Sequence, residues 1–387
     1  MHVALARCQN LSSTPPYSLG NFMTHATPKP GILTISPYVG GKSKTGDGRP
    51  VIKLSSNENP YGPSPKAIAA FAEAAPLLHR YPDGSHAALR EAIADVESLP
   101  AQQLVCGSGS DELIGLLIHA YAGLGDEVLF CEHGFLMYRI YALGNSATPV
   151  TAPETNLTAN VDALLAAVTP RTKLLFIANP NNPTGTLLPY SEVERLRAGL
   201  RNDVILVLDA AYAEYLDDPT QDGRALVAAG TNTVLMHTFS KIYGLGGMRL
   251  GWAYAPADII DVLNRIRGPF NVNSAALAAG LAAIRDTEYT DEMRRKNKEQ
   301  RQRVADGITQ RGYKVVPSAA NFVLVEFPAS AGQTAAEANQ FMLSHGIIPR
   351  EVGNYGLPNH LRITIGTESE NTALLEALTR FAERNAA

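Results

Sequence analysis

From Leu104 onward the chain alternates short apolar runs with segments whose apolar residues recur at helical spacing, and few architectures accept that alternation. The runs QLVCG, DEVLFCE, ATPVTA, KLLFIAN, VILVLDA and TVLMHTF read as strands, whereas SDELIGLLIHAYAG and VDALLAAVTPR between them carry the apolar period of helices. Parallel strands need a crossover connection, and the crossover helices cover both faces of the sheet they join. The pattern therefore predicts an α/β fold with a mostly parallel central sheet and helices on both faces.

A charged helix predicted over 287–311 then leads into YKVV, ANFVLVEF, LRITIG and a closing helix, which together read as a smaller α+β domain. With 387 residues the chain is longer than a single core usually organises. The expected division is a large domain over 80–295 and a small one over 296–387. Residues 23–79 are too poor in strands to stand alone and are predicted to pack on the small domain or on a partner subunit. Residues 1–22 are expected to be a disordered extension, because a second methionine, Met23, opens the first motif-like sequence.

Charge narrows the chemistry. Lys and Arg number 33 against 37 Asp and Glu, with no basic run, so no field is present to hold nucleic acid or an anionic membrane. No apolar run approaches the roughly 20 residues that span a bilayer. The cysteines, Cys8, Cys106 and Cys131, are odd in number and scattered, two of them in apolar runs that read as buried strands, which fits a reducing cytoplasm. Small-molecule chemistry is the expectation, with no metal.

In an open parallel sheet, ligands collect outside the carboxyl ends of the strands. After LVC comes GSGSDE, where glycines with Ser110 and Asp111 open a helix and offer free backbone N–H groups to a phosphate; an ordinary turn with Ser110 as N-cap reads equally well. After LLFIA comes NPNNPTG, whose prolines fix the turn and aim the Asn182 amide. VILVL ends in Asp209, followed three residues later by Tyr212. A carboxylate closing a buried strand is costly unless a cation or a capping role satisfies it. Last, TVLMH leads into TFSKIYGLGGMRLGW, with Thr238, Ser240, Lys241 and Arg249. A loop lysine is ordinarily a solvated charge, but here hydroxyls, glycines and an arginine able to grip a phosphate surround it. A phosphate cradle, an amide, a buried acid with a phenol, and a lysine are the parts a pyridoxal phosphate site requires.

The motifs NPNNPTG, DAAYAEY, SKIYGLGGMRLGW and LRITIG resemble those of the fold-type I pyridoxal-phosphate aminotransferases. With LSSNENPYGPSPKA and RYPDG added, the chain resembles the histidinol-phosphate aminotransferases from about Pro30 to its C-terminus. The resemblance implies a homodimer and transamination between L-histidinol phosphate and 2-oxoglutarate in histidine biosynthesis. It implies that Lys241 attaches the cofactor and moves the substrate's α-proton, that Asp209 pairs with the ring nitrogen, and that Tyr212 and Asn182 bond the ring hydroxyl. Phe135 in EHGFLMY falls where an aromatic stacks on the ring. Backbone at Ser110 and Asp111, the hydroxyls of Thr238 and Ser240, and Arg249 would hold the phosphate, and Tyr81 would reach the phosphate in the neighbouring subunit. On the substrate side the resemblance places Tyr38, Asn59, Arg350 and Arg362, with Arg362 as the carboxylate-binding residue; read alone, Arg362 is also an edge-strand charge.

Two positions depart from the family pattern. Ala210 follows Asp209 where many relatives carry an acid, and strand neighbours face opposite ways, so contact with a cofactor is unaffected. Pro349 stands where an aliphatic residue is usual, which bears directly on where Arg350 points. Two other activities on the same scaffold remain open from sequence: an aminotransferase for phenylalanine or tyrosine, and a threonine-phosphate decarboxylase. GLGGMRLG and GSGSDE do not have the spacing of a dinucleotide-binding turn, and the strand-poor N-terminus supplies no basic face for a DNA-binding regulator.

Overall fold

The computed structural model describes residues 27–384 apart from 45–47 and 49; the extension expected over 1–22 lies outside the described residues. The central sheet has seven strands: β1 (Leu104–Gly107), β2 (Glu127–Cys131), β3 (Thr148–Ala152), β4 (Thr172–Ala178), β5 (Ile205–Asp209), β6 (Thr233–Thr238) and β7 (Gly251–Tyr254). Their order across the sheet is β1-β7-β6-β5-β4-β2-β3. All neighbours pair parallel except β7, which runs antiparallel to both β6 and β1. The reversed strand is absent from the sequence reading because its four residues lie inside the glycine-rich stretch that also carries Lys241.

Apart from the edge strand β3, which is partly exposed, the strands are apolar almost throughout because both faces of the sheet are covered. Cys106, Leu129, Leu175, Ile177, Leu206, Leu208, Leu235 and Trp252 point to one side and join one apolar core. Their alternating neighbours Val105, Val128, Phe130, Leu174, Phe176, Val207, Val234 and Met236 point to the other and join a second. Each fully buried Leu, Val or Phe contributes roughly 1.5–3 kcal/mol relative to exposure, so shifting one strand by a single residue would exchange the two cores' contents. Register is thereby fixed, and with it the row of strand ends: Ala178 lies beside Asp209, Asp209 beside Met236, and Gly251 between Thr238 and Gly107.

A second sheet, antiparallel, has strands Lys314–Val316, Phe322–Glu326, His360–Thr364 and Arg350–Glu351 in that spatial order. Its two helices, Ala335–Ser344 and Glu368–Glu383, both begin with a full capping box, Thr334 with Glu337 and Thr367 with Glu370. The helix Thr287–Gln310 joins the two sheets: Met293 sits in the core of the first, and Val304 and Ile308 in the core of the second. The N-terminal segment touches both. Ile52–Lys53 pairs parallel with Ile347–Ile348, while the helix Pro65–Ala74, capped by Ser64, packs on the helix Ser274–Arg285.

Candidate active site

The carboxyl ends of β1, β4, β5 and β6 open onto a cavity of about 520 Å³, closed on its far side by the second sheet and the segment near Tyr38. Its wall brings together Ser110, Asp111, Phe135, Asn182, Asp209, Tyr212, Thr238, Ser240, Lys241, Arg249, Tyr38, Arg350 and Arg362. Lys241 follows β6 in a turn held by the Gly244 N–H bonding the Lys241 carbonyl at 3.0 Å and by the Leu245 N–H bonding that of Phe239 at 3.0 Å. Gly244 has φ +68°, and a Cβ there would meet the backbone of Gly62 at 2.4 Å, so only glycine allows this turn. Lys241 Nζ lies 3.5 Å from the Ser56 carbonyl and 5.5 Å from the centre of the Tyr212 ring.

Asp209 ends β5 at 6 % exposure. Its Oδ2 accepts the Tyr138 hydroxyl at 2.8 Å and its Oδ1 the Ala211 N–H at 3.2 Å. Burial raises its pKa, and the two hydrogen bonds with the nearby charges of His237 and Lys241 only partly offset this. No Lys, Arg or His among the described residues forms a salt bridge with it.

The donors above this acid are held in place by groups from both sheets. Asn57 Nδ2 donates to the Tyr212 hydroxyl at 2.9 Å, leaving the phenol proton to donate towards the cavity. Asn57 adopts φ 57°, and its carbonyl accepts Asn321 Nδ2 at 3.0 Å. Arg362 Nη1 donates to Asn182 Oδ1, so the Asn182 amide N–H₂ is the part left for a ligand. Arg362 Nη2 donates to the Ser55 carbonyl at 2.9 Å, and its Nε is buried without a partner among the described residues.

At the other end, the helix Ser110–Tyr121 is entered through Gly109 at φ 85°, with no side-chain cap. Ser110 is thus the first helical residue rather than the cap, and the helix presents bare N–H groups. A Cβ at Gly109 would meet Arg249 Nη2 at 2.4 Å, and one at Gly251 would meet the Ser110 nitrogen at 2.3 Å. The two glycines let an arginine and a helix start converge on one spot. Arg249, at φ 56°, also reaches Ser240 Oγ at 3.4 Å.

Two predicted residues stand outside this wall. Asn59 departs from the expectation: its Nδ2 donates to the Ile242 carbonyl at 2.8 Å and its Oδ1 accepts the Tyr61 N–H at 3.0 Å, so its amide is used up in fixing the loop, and Asn57, two residues earlier in the same motif, faces the cavity instead. Tyr81 is 84 % exposed and stacks on Phe270 with ring centres 4.8 Å apart. Arg350 does face the cavity despite Pro349; it sits directly opposite Arg362 in the strand pair, and its Nη2 donates to the Val39 carbonyl at 2.8 Å.

Behind the wall lies a polar cluster that the motifs do not announce. His237 of β6 bonds Glu214 through Nδ1 at 2.8 Å and Asp222 through Nε2 at 3.0 Å, and stacks on Trp252 with ring centres 4.4 Å apart. Burial alone would lower its pKa, but the two carboxylates raise it to about 10, so it is an imidazolium at neutral pH.

A match to the family described as aminotransferase class I and II spans residues 49–378. A histidinol-phosphate aminotransferase of Paramagnetospirillum magneticum is 56 % identical over 93 % of this chain and 99 % of its own length, and one of Rhodospirillum rubrum is 55 % identical over 92 % and 96 %. The chain belongs to this family, in its histidinol-phosphate aminotransferase branch. Among solved structures, the histidinol-phosphate aminotransferase of Sinorhizobium meliloti in complex with pyridoxal-5'-phosphate superposes with a TM-score of 0.85 at 27 % identity, covering 96 % of this chain and all of that one. The aspartate aminotransferase of Thermus thermophilus with maleate, at 21 % identity and a TM-score of 0.77, shares the fold.

The cofactor is pyridoxal phosphate, and the residues present fit it. A dianionic phosphate suits the convergence of bare N–H groups, a hydroxyl and a guanidinium at Ser110, Ser240 and Arg249. A protonated ring nitrogen suits an acid that is buried without a cation, and a flat ring suits the half-buried Phe135. Among the described residues no helix is long and apolar enough to cross a membrane.

Proposed function

We propose that this aminotransferase moves the amino group of L-histidinol phosphate to 2-oxoglutarate, giving imidazole acetol phosphate and L-glutamate, as a step of histidine biosynthesis. The observation that carries the reading is Arg362, 6 % exposed in the cavity wall with an N–H unmatched among the described residues and with Arg350 directly across the strand pair. A guanidinium fork fits a phosphomonoester and an α-carboxylate alike, so one pocket can serve both substrates in turn.

When bound, pyridoxal phosphate supplies an electron sink for the substrate's α-carbon. The chain's own residues do the rest. Lys241 Nζ holds the cofactor by its aldehyde carbon and, once released, carries the α-proton. Asp209 holds a proton at the ring nitrogen, while Tyr212 and Asn182 donate to the ring hydroxyl. Phe135 covers the ring and excludes water. The N–H groups at Ser110 and Asp111, the hydroxyls of Thr238 and Ser240, and Arg249 anchor the phosphate. Tyr38 closes the substrate side.

The reading includes a homodimer whose partner's phosphate is met by Tyr81; support comes from the 84 % exposure of Tyr81 and from Ile68 and Phe71, both exposed on the helix Pro65–Ala74. It also includes a domain division at 295/296, supported by the separate apolar cores, and a cytoplasmic location, supported by Cys106 and Cys131, both free and buried.

The test is single-turnover absorbance of the holoenzyme mixed with L-histidinol phosphate, L-phenylalanine or L-glutamate. Half-conversion is expected at least about tenfold lower in histidinol phosphate than in phenylalanine, the scale of one charge-assisted hydrogen bond. A preference for phenylalanine would make the enzyme an aromatic aminotransferase. Lys241→Ala should abolish reducible cofactor attachment; attachment at another lysine would overturn the assignment of Lys241.

A further inference from the structure

Tyr138 closes the run EHGFLMY that carries Phe135 but has been given no role so far, yet it makes the shorter of the two hydrogen bonds to the Asp209 carboxylate among the described residues. It lies in the helix Leu136–Gly144, wholly buried, and its hydroxyl donates to Asp209 Oδ2 at 2.8 Å. Its ring is stacked on Phe176 of β4 at 4.7 Å, meets Phe135 edge-on at 5.8 Å and lies 5.9 Å from Phe130. Three aromatic neighbours pack against the ring, and the side chain is fully buried. Within that box the hydroxyl can only donate: burial first, then the charge of Asp209, raises its pKa well above 10. Among the described residues the other carboxylate oxygen has only the Ala211 N–H at 3.2 Å.

We propose that Tyr138 is a positioning residue acting through Asp209: it fixes the carboxylate's rotamer and supplies the hydrogen bond that favours the anion, so that Asp209 can hold the proton on the cofactor's ring nitrogen. This rests on the reading of Asp209 given above. Without the donor, the carboxylate faces an aromatic wall on one side with nothing there to bond it, where it either takes up a proton or turns away. Either change weakens its bond to a ring N–H while leaving the phosphate anchor and the substrate arginines untouched. Both half-reactions then suffer in turnover, because both use the same ring, and the KM for either substrate stays as it was.

The experiment is equilibrium binding to the cofactor-free protein, unaltered and Tyr138→Phe, of pyridoxal phosphate and of its analogue with the ring nitrogen replaced by C–H, alongside thermal unfolding of both proteins. Tyr138→Phe is expected to weaken pyridoxal phosphate by about ten- to a hundredfold and the analogue by less than about threefold, the difference a hydrogen bond to a charged group produces. Turnover should fall in both half-reactions with unchanged KM. An equal loss for both ligands would show a merely structural role and overturn the proposal, as would an unaltered affinity for pyridoxal phosphate. Equal affinity of the unaltered protein for the two ligands would overturn the Asp209 reading itself. Should Tyr138→Phe fold poorly, the ligand ratio of Tyr138→His, which keeps a ring and an N–H donor, decides the matter: a ratio near that of the unaltered protein supports the role, and one as low as in Asp209→Asn overturns it.

Discussion

Asp209 and Asp222 are equally hidden, at 6 % and 7 % exposure, and ionise in opposite directions. Asp222 accepts His237 Nε2 at 3.0 Å, Arg224 Nη2 at 2.8 Å and the Arg224 N–H at 2.9 Å. Burial pushes its pKa up, but the His237 and Arg224 bonds and charges outweigh it, and the net shift is down. Asp209 has a phenol and one backbone N–H, and burial wins. Depth therefore does not decide the state of a buried acid; the presence of a cation does. The acid with a full set of partners holds scaffold together, and the acid without a cation among the described residues is the one that lines the cavity, where we propose it meets the cofactor.

The strongest way to break this contrast is Asp209→Asn. Turnover should fall on the order of 10³-fold, as when a preorganised electrostatic partner is removed. The cofactor-free protein should be as stable as before or more so. Because the folded pKa of Asp209 lies above its unfolded value, whatever stability it gives is present at low pH and lost as pH rises through the folded value, so at neutral pH the carboxylate is a net liability. Steady-state kinetics and urea unfolding at pH 7 measure the two halves; a large loss of stability would place Asp209 with Asp222.

Asp222→Asn should do the reverse, lowering stability by about 3–5 kcal/mol through the loss of a buried partner, with turnover per folded molecule largely retained. Its lowered pKa means that its contribution is complete above the unfolded value and is lost as pH falls through the folded one. His237 sharpens the comparison from the alkaline side. Its pKa is raised to about 10, so its stabilisation is full below its unfolded value near 6.5 and disappears as pH climbs through about 10. The urea midpoint should decline across that window in the unaltered protein, and His237→Gln should remove the decline. The smallest effect belongs to a site remote from both acids: Thr334→Ala, which breaks a capping box, should cost about 1 kcal/mol and leave the kinetics unmoved.

How much of this could be read from the residues differs by kind of interaction. Five of the six parallel strands were legible as nearly continuous apolar runs, and the edge strand β3, TPVTA, by its β-branched residues and its place in the alternation; β7 was not, because four residues inside a glycine-rich motif carry no period of their own. Strand ends marked Asp209, Lys241, Asn182 and Arg249, since parallel sheets place chemistry there by construction. Asn57 was missed in favour of Asn59 because two asparagines two apart in a loop carry no signal for which one turns inward; the left-handed backbone at Asn57 decides it. Tyr138 stands three residues after Phe135, which caps its helix, and that spacing is the one clue to it. The His237 cluster has no clue at all. Its carboxylates lie 23 and 15 residues away in sequence, and the Arg224 beside it reaches Glu97 across 127 residues, so only the folded register assembles it.

Arg362 stands on the antiparallel sheet and Asn182 on a loop of the parallel one, yet they are directly bonded, as are Asn57 and Tyr212 nearby. The cavity is therefore a caliper whose two jaws belong to different sheets. Its opening is set by how those sheets sit against each other, and an error of about 1 Å in that setting is felt at the reacting atoms as a loss of rate, even when every catalytic side chain is still in place.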